Sequence, residues 1–155
     1  MKRLIIALAA VAAVAAVAAS SGLAAQQIVS LAPCLNGTGQ RFVPAGTEPV
    51  LRVGWADAGK GLVKSFIDAT TVTASIDSNP VANAGSYWGP IERSGGSWLS
   101  FWLYPTGITL ANPGDQMVVY YSWYLDRKVR TVQGDHGFAG PGELWASNTC
   151  TITAT

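Results

Sequence analysis

From residue 49 onward, apolar and polar side chains alternate with a period of two. In VTASID, Val72, Ala74 and Ile76 share one face and Thr71, Thr73 and Ser75 the other, the pattern of a half-buried strand. PVLRVGWA repeats it, with Leu51, Val53 and Trp55 inward and Arg52 outward. So does NTCTITAT, with Cys150, Ile152 and Ala154 inward and Thr151 and Thr153 outward. Turn residues punctuate these runs: DSNP at Asp77 to Pro80 predicts a tight hairpin, SGG at Ser94 to Gly96 a flexible loop, and NPGD at Asn112 to Asp115 a turn. One segment has a different period. In KGLVKSFIDA the apolar residues Leu62, Val63, Phe66 and Ile67 recur at helical spacing, which predicts a short helix near 62–68 that caps one end of the fold.

Two further strands are apolar on both faces, so their orientation needs a second criterion. WLSFWLY, 98–104, sets Leu99, Phe101 and Leu103 against Trp98, Ser100, Trp102 and Tyr104. The first set has no polar atom, whereas Trp and Tyr carry polar handles that tolerate a wet side. Leu99, Phe101 and Leu103 are therefore assigned to the core, and Trp98, Trp102 and Tyr104, with Arg52 nearby, to an outward stripe able to stack on sugar rings or on a protein. In QMVVYYSWYLD the set containing Ser122 and ending in Asp126 is assigned outward, which makes Tyr120 and Tyr124 a second outward stripe. The connection PTGITLANPGDQ is too long for a tight hairpin. The loops 83–97 and 134–147 are long enough to close over the first stripe and turn it into packing, since proteins seldom leave a large apolar patch open. Trp55, Trp88, Trp123 and Trp145 are assigned to the core or its lids.

The first residues change the picture of compartment. MKRLIIALAAVAAVAAVAASSGLAA has Lys2 and Arg3 ahead of an uncharged apolar run that ends in small residues, the layout of a secretory signal peptide occupying 1–24. Without it, 25–155 forms a single domain with eight basic and nine acidic residues. That balance carries no basic stripe and excludes a nucleic-acid partner; DRKVR at Asp126 to Arg130 reads as a solvated strand end. The membrane enters only through the signal segment, if it stays uncleaved. The two cysteines, Cys34 and Cys150, are expected to pair in an exported chain. LAPC is a poor lipid-attachment site, because Pro33 stands where a small residue is wanted and lipidation would orphan Cys150.

Many short strands, abundant Gly, Thr and Ser, and little helix signal predict an all-β, two-sheet antiparallel sandwich of about seven to nine strands. The succession PVLRVGW, TVTASIDSNPV, WLSFWLY, LANPGDQMVVYYSW and TCTITAT resembles the immunoglobulin-like β-sandwich domains of exported bacterial proteins. LANPGDQMVVYY in particular is similar to the turn and strand after their sheet-crossing loop. The resemblance implies an immunoglobulin-like sandwich with an adhesive, binding or structural role, and brings no catalytic residue with it. In an immunoglobulin-like topology a link such as PTGITLANPGDQ crosses between sheets, which would place the two stripes on opposite outer faces. The chain departs from antibody-type domains in having its cysteines on terminal segments.

Reaction chemistry finds little footing. His136 is the only histidine, which leaves zinc and blue-copper sites without the ligands they need. Asp135 and His136 are adjacent on a loop and cannot orient each other as a Ser-His-Asp triad requires. Nearly all of Glu48, Asp57, Asp68, Asp77, Glu92, Asp115, Asp126, Asp135 and Glu143 sit in turn contexts, where carboxylates cap backbone groups. Gly59 and Gly61 lack the following elements of a phosphate loop. Asn36-Gly37-Thr38 fits a glycosylation sequon and equally a simple turn. The expectation is a secreted or cell-surface module with no catalytic residue, metal or cofactor, whose partner is a protein or a glycan.

Overall fold

The computed structural model describes residues 24–35, 37–130 and 143–155, the side chains of 143–145 excepted. Its elements are β1 (Ala25–Ser30), a 3-10 turn (Ala32–Cys34), β2 (Thr38–Val43), β3 (Thr47–Asp57), α1 (Lys60–Ala69), β4 (Thr70–Ile76) and β5 (Asn79–Pro80). A second 3-10 turn (Ala84–Tyr87), β6 (Glu92–Ser94), β7 (Ser97–Pro105), β8 (Gln116–Leu125) and β9 (Glu143–Ala154) follow. The strands form two sheets, β1-β3-β7-β6 and β2-β9-β8-β4-β5. This is the all-β two-sheet sandwich that the period-two pattern predicts. Reading β1 as A, β3 as B, β4 as C, β6 as D, β7 as E, β8 as F and β9 as G gives the ABED-over-CFG order of immunoglobulin-type sandwiches. The centre is antiparallel, but β1 runs parallel to β3 and β2 parallel to β9.

Each turn has a local cause. Asp77 and Ser78 both take positive φ, 48° and 68°, as a two-residue hairpin between β4 and β5 requires. Gly95 and Gly96 do the same between β6 and β7. At 112–115, Asp115 Oδ2 accepts the Asn112 N–H at 2.8 Å and Gly114 has φ +92°. The helix occupies the predicted place. Its Val63, Phe66 and Ala69 are buried, and it stops where the Thr70 hydroxyl donates to the Phe66 carbonyl at 2.6 Å and the chain enters β4 directly.

The core lies between the sheets. Leu51, Val53 and Trp102 face Val72, Met117, Val119, Tyr121, Trp123 and Ile152. At one end α1 seats Phe66 in an aromatic cluster, stacked on Trp55 with ring centroids 4.0 Å apart and edge-on to Trp123 at 5.7 Å. Cys34 and Cys150 are bonded, with Cα atoms 5.6 Å apart and 116 residues of separation. The bridge ties the turn after β1 to the inner face of β9. Gly39 makes room for it: a Cβ there would stand 2.7 Å from Cys34 Sγ.

Candidate functional site

β7 presents the parity opposite to the predicted one. Trp102 and Ser100 are completely buried, whereas Leu99, Phe101 and Leu103 are half-exposed on the outer face of the first sheet. The cause lies 11 to 18 residues away. The chain from β5 to β6 crosses the open side of the sandwich and offers backbone carbonyls to the polar handles of β7. Trp102 Nε1–H donates to the Ala84 carbonyl at 2.6 Å, and the Ser100 hydroxyl donates to the Gly89 carbonyl at 2.8 Å. Tyr87 packs edge-on against Trp102 and Tyr104, with centroids 6.2 and 4.9 Å away. With its donor satisfied, the indole contributes its whole hydrophobic surface to the core.

The Trp98, Trp102 and Tyr104 stripe is therefore not an outward surface. Trp102 is core, and Tyr104 stacks on it at 5.8 Å. Trp98 is half-buried, with Lys60 Nζ 5.4 Å from its ring centroid. Closure of the 83–97 loop over this face, the alternative weighed above, is what the structure shows. Arg52 does point outward, but over Phe101, its Cζ 4.9 Å from the ring centroid. On β8 the predicted parity holds: Met117, Val119, Tyr121, Trp123 and Leu125 are buried, Tyr120 is exposed and Tyr124 half-exposed. Ser122 is the exception on its face, buried because its Oγ shares a 2.6 Å hydrogen bond with Thr73 Oγ1. The two aromatic strands do lie in different sheets.

Reversing β7 leaves the first sheet with an apolar outer face. Cross-strand pairing sets Ile28 beside Val50, Arg52 beside Leu103, Gly54 beside Phe101, and Ala56 beside Leu99. Phe101 lies flat across Gly54, where a Cβ would meet its ring at 2.7 Å, so the glycine lets the aromatic ring cover bare backbone. A shallow groove of about 230 Å³ passes over Gly54 between Arg52, Ala56, Leu99 and Phe101. Ile28, at 55% exposure, extends the apolar row to the edge strand. Arg52 is the charge inside this row, flanked by Glu48 on the same face of β3 and by Glu92 paired with Leu99. Sequence reasoning missed the face because it placed Leu99, Phe101 and Leu103 inside; the Arg52 and Gly54 alternation in β3 was the available signal.

The turn role predicted for nearly all the carboxylates holds for only some of them, since Glu48 and Glu92 lie in strands and Asp68 in α1, while Asp57, Asp77 and Asp115 do accept backbone N–H groups. Asp57 Oδ1 accepts the Ala58 N–H at 2.6 Å, and Asp77 Oδ1 accepts the Val118 N–H at 2.7 Å. Asp68 pairs with Lys64 at 2.6 Å and Asp126 with Arg127 at 3.1 Å, both on the surface, where such pairs add under about 1 kcal/mol. Among the described residues no group of three or more His, Cys, Asp or Glu side chains could hold a metal. Asn36, Asp135 and His136, and the side chains of Glu143 and Trp145, lie outside the described residues. Burial pushes the Tyr121 phenol above its ordinary value, and its hydroxyl has no hydrogen-bond partner among the described residues.

No family model, no curated protein and no solved structure matches the chain. The disulfide is compatible with an extracellular location, and no helix among the described residues is long and apolar enough to cross a membrane.

Proposed function

We propose that the chain is an exported, non-catalytic interaction module that binds a protein partner through the outer face of β1, β3 and β7. The observation that carries this reading is the continuous row Ile28, Val50, Leu103, Phe101 and Leu99, broken only by Arg52 seated on Phe101. A contiguous apolar patch on a sheet marks an interaction site. An aromatic ring with an arginine at its centre fits the composition of interface hot spots. The partner that complements it has an apolar patch of its own and a carboxylate opposite Arg52. The groove is shallow and lacks the row of coplanar rings that stacking on a sugar chain demands, which sets the glycan reading second.

The test is retention of cell-surface proteins of the producing organism by the immobilised, disulfide-bonded chain. A protein partner retained by the native chain should be lost at least 10-fold by Leu103→Asp and by Arg52→Glu. It should be kept by Val118→Asp on the opposite outer face. Equal retention by all of these variants, or retention of a neutral polysaccharide that depends on Tyr120 and Tyr124, would overturn the reading.

A further inference from the structure

A second site lies on a different edge of the molecule and stands whether or not the outer face of the first sheet binds. β5 ends after two residues, at Pro80, so it pairs only with Ser75 and Ile76. From Thr70 to Ala74, β4 has β8 on one side and no strand on the other. Backbone direction follows from one bond: the Ala74 carbonyl accepts the Val81 N–H at 2.9 Å, so Ala74 points its backbone groups away from β8. Strand alternation then directs those of Val72 the same way. Neither the N–H nor the carbonyl of Val72 has a backbone partner among the described residues.

These groups open on a shallow, solvent-open cleft of about 660 Å³. Val72, Ala74, Val81 and Ala84 give it an apolar floor, and Thr73 and Ser86 an uncharged polar rim. Asn83, with φ +51°, leads into the 3-10 turn Ala84–Tyr87, which packs beside β4 and forms the far wall of the cleft. Two other edges, β6 and β2, carry devices that discourage strand addition, whereas β1 is an uncharged edge that does not line the cleft. β6 is three residues long with Glu92 and Arg93 exposed, and β2 carries Arg41. The Thr70–Ala74 edge has no charge, no proline and no bulge.

We propose that this edge accepts an extended, uncharged peptide segment as an added strand, the residue opposite Val72 exchanging backbone hydrogen bonds with it. The occupant's side chain at that position points the same way as Val72, into the space above Ala74 and Ala84, so it is small and apolar. Its neighbours lie beside Thr71 and Thr73 and are polar and uncharged, because no lining residue offers a counter-charge. Main-chain bonds supply the affinity and the floor supplies the specificity.

Residue-resolved hydrogen exchange on the disulfide-bonded protein tests this. In the free protein the Val72 amide should exchange at least 100-fold faster than those of Thr71 and Thr73, which face β8. A capped hexapeptide of alternating valine and threonine should slow Val72 exchange at least 10-fold at saturation. The same peptide with N-methylated amides should not, nor should a lysine-glutamate alternation. Ser86→Trp, at the exposed lip, should abolish the effect of the peptide while leaving exchange at Thr71 and Thr73 unchanged. Protection of Val72 equal to its neighbours in the free protein, no slowing at millimolar peptide, or equal slowing by the N-methylated peptide would overturn the proposal.

Discussion

Replacing Trp102 with alanine removes one of the two largest fully buried side chains among the described residues. Truncations of this kind cost about 3 to 5 kcal/mol through lost transfer energy and the cavity left behind. The Ala84 carbonyl also loses its 2.6 Å donor, which adds about 1 kcal/mol. Tyr87 and Tyr104 both rest on the indole, so the side of the sandwich can collapse only in part. The expected loss is about 4 to 6 kcal/mol. With a urea slope of about 2 kcal/mol per molar for a domain of this size, the midpoint falls by about 2 to 3 M. Leu103→Ala, one residue along and half-exposed, should cost about 1 kcal/mol or less and move the midpoint by about 0.5 M. Urea unfolding of both variants with the disulfide intact, followed by far-ultraviolet circular dichroism, makes the comparison. A Trp102→Ala loss below 1 kcal/mol together with a larger loss at Leu103 would refute the inward placement of the tryptophan face.

Other consequences are open to the same kind of measurement. Replacing both cysteines with serine opens a loop of 116 residues, for which the chain-entropy account gives about 4 to 5 kcal/mol; a midpoint unchanged by the double replacement would contradict a structural role for the bridge. Gly39→Ala should cost about 1 to 3 kcal/mol through crowding against Cys34, and the part due to Sγ at 2.7 Å should vanish in a Cys34→Ala background while the contacts with Cys34 Cα and Cβ at 3.0 and 3.2 Å remain. Tyr121 titrates above its ordinary value in the folded state because it is buried, so the unfolded chain ionises first. Stability from this group is complete below about pH 10 and declines as pH rises beyond it; Tyr121→Phe should flatten that decline and, by removing an unpartnered buried hydroxyl, leave neutral-pH stability equal or higher.

Much of the fold was legible from short-range pattern. The strands around Val53, Ala74 and Ile152, the helix at Phe66, the Asp77-Ser78 turn and the cysteine pairing each follow from local alternation, turn chemistry or counting. The orientation of β8 was legible too, because Asp126 and the hydroxyl of Ser122 marked one face. β7 offered no such mark, since both of its faces are apolar. What settled it was the position of two backbone carbonyls on a loop 11 to 18 residues earlier in the chain, Ala84 and Gly89, which sequence pattern does not specify. The added strand β1 escaped notice for a related reason: Ala25 to Ile28 are exposed on both faces, so its pairing with β3 leaves no alternation to read. The candidate surface moved with β7, from the tryptophan face to the leucine and phenylalanine face.

The orientation of β7 decides both the core and the proposed binding face, and the indole proton of Trp102 reports on it directly. In a two-dimensional nitrogen-proton spectrum with the tryptophan side chains assigned, the Trp102 Nε1–H signal should persist for hours in heavy water. It should also stay sharp when a soluble paramagnetic agent is added, while the Leu103 methyl signals broaden. Rapid loss of the Trp102 signal in heavy water, with paramagnetic broadening of that indole and none of the Leu103 methyls, would show that the strand faces the other way.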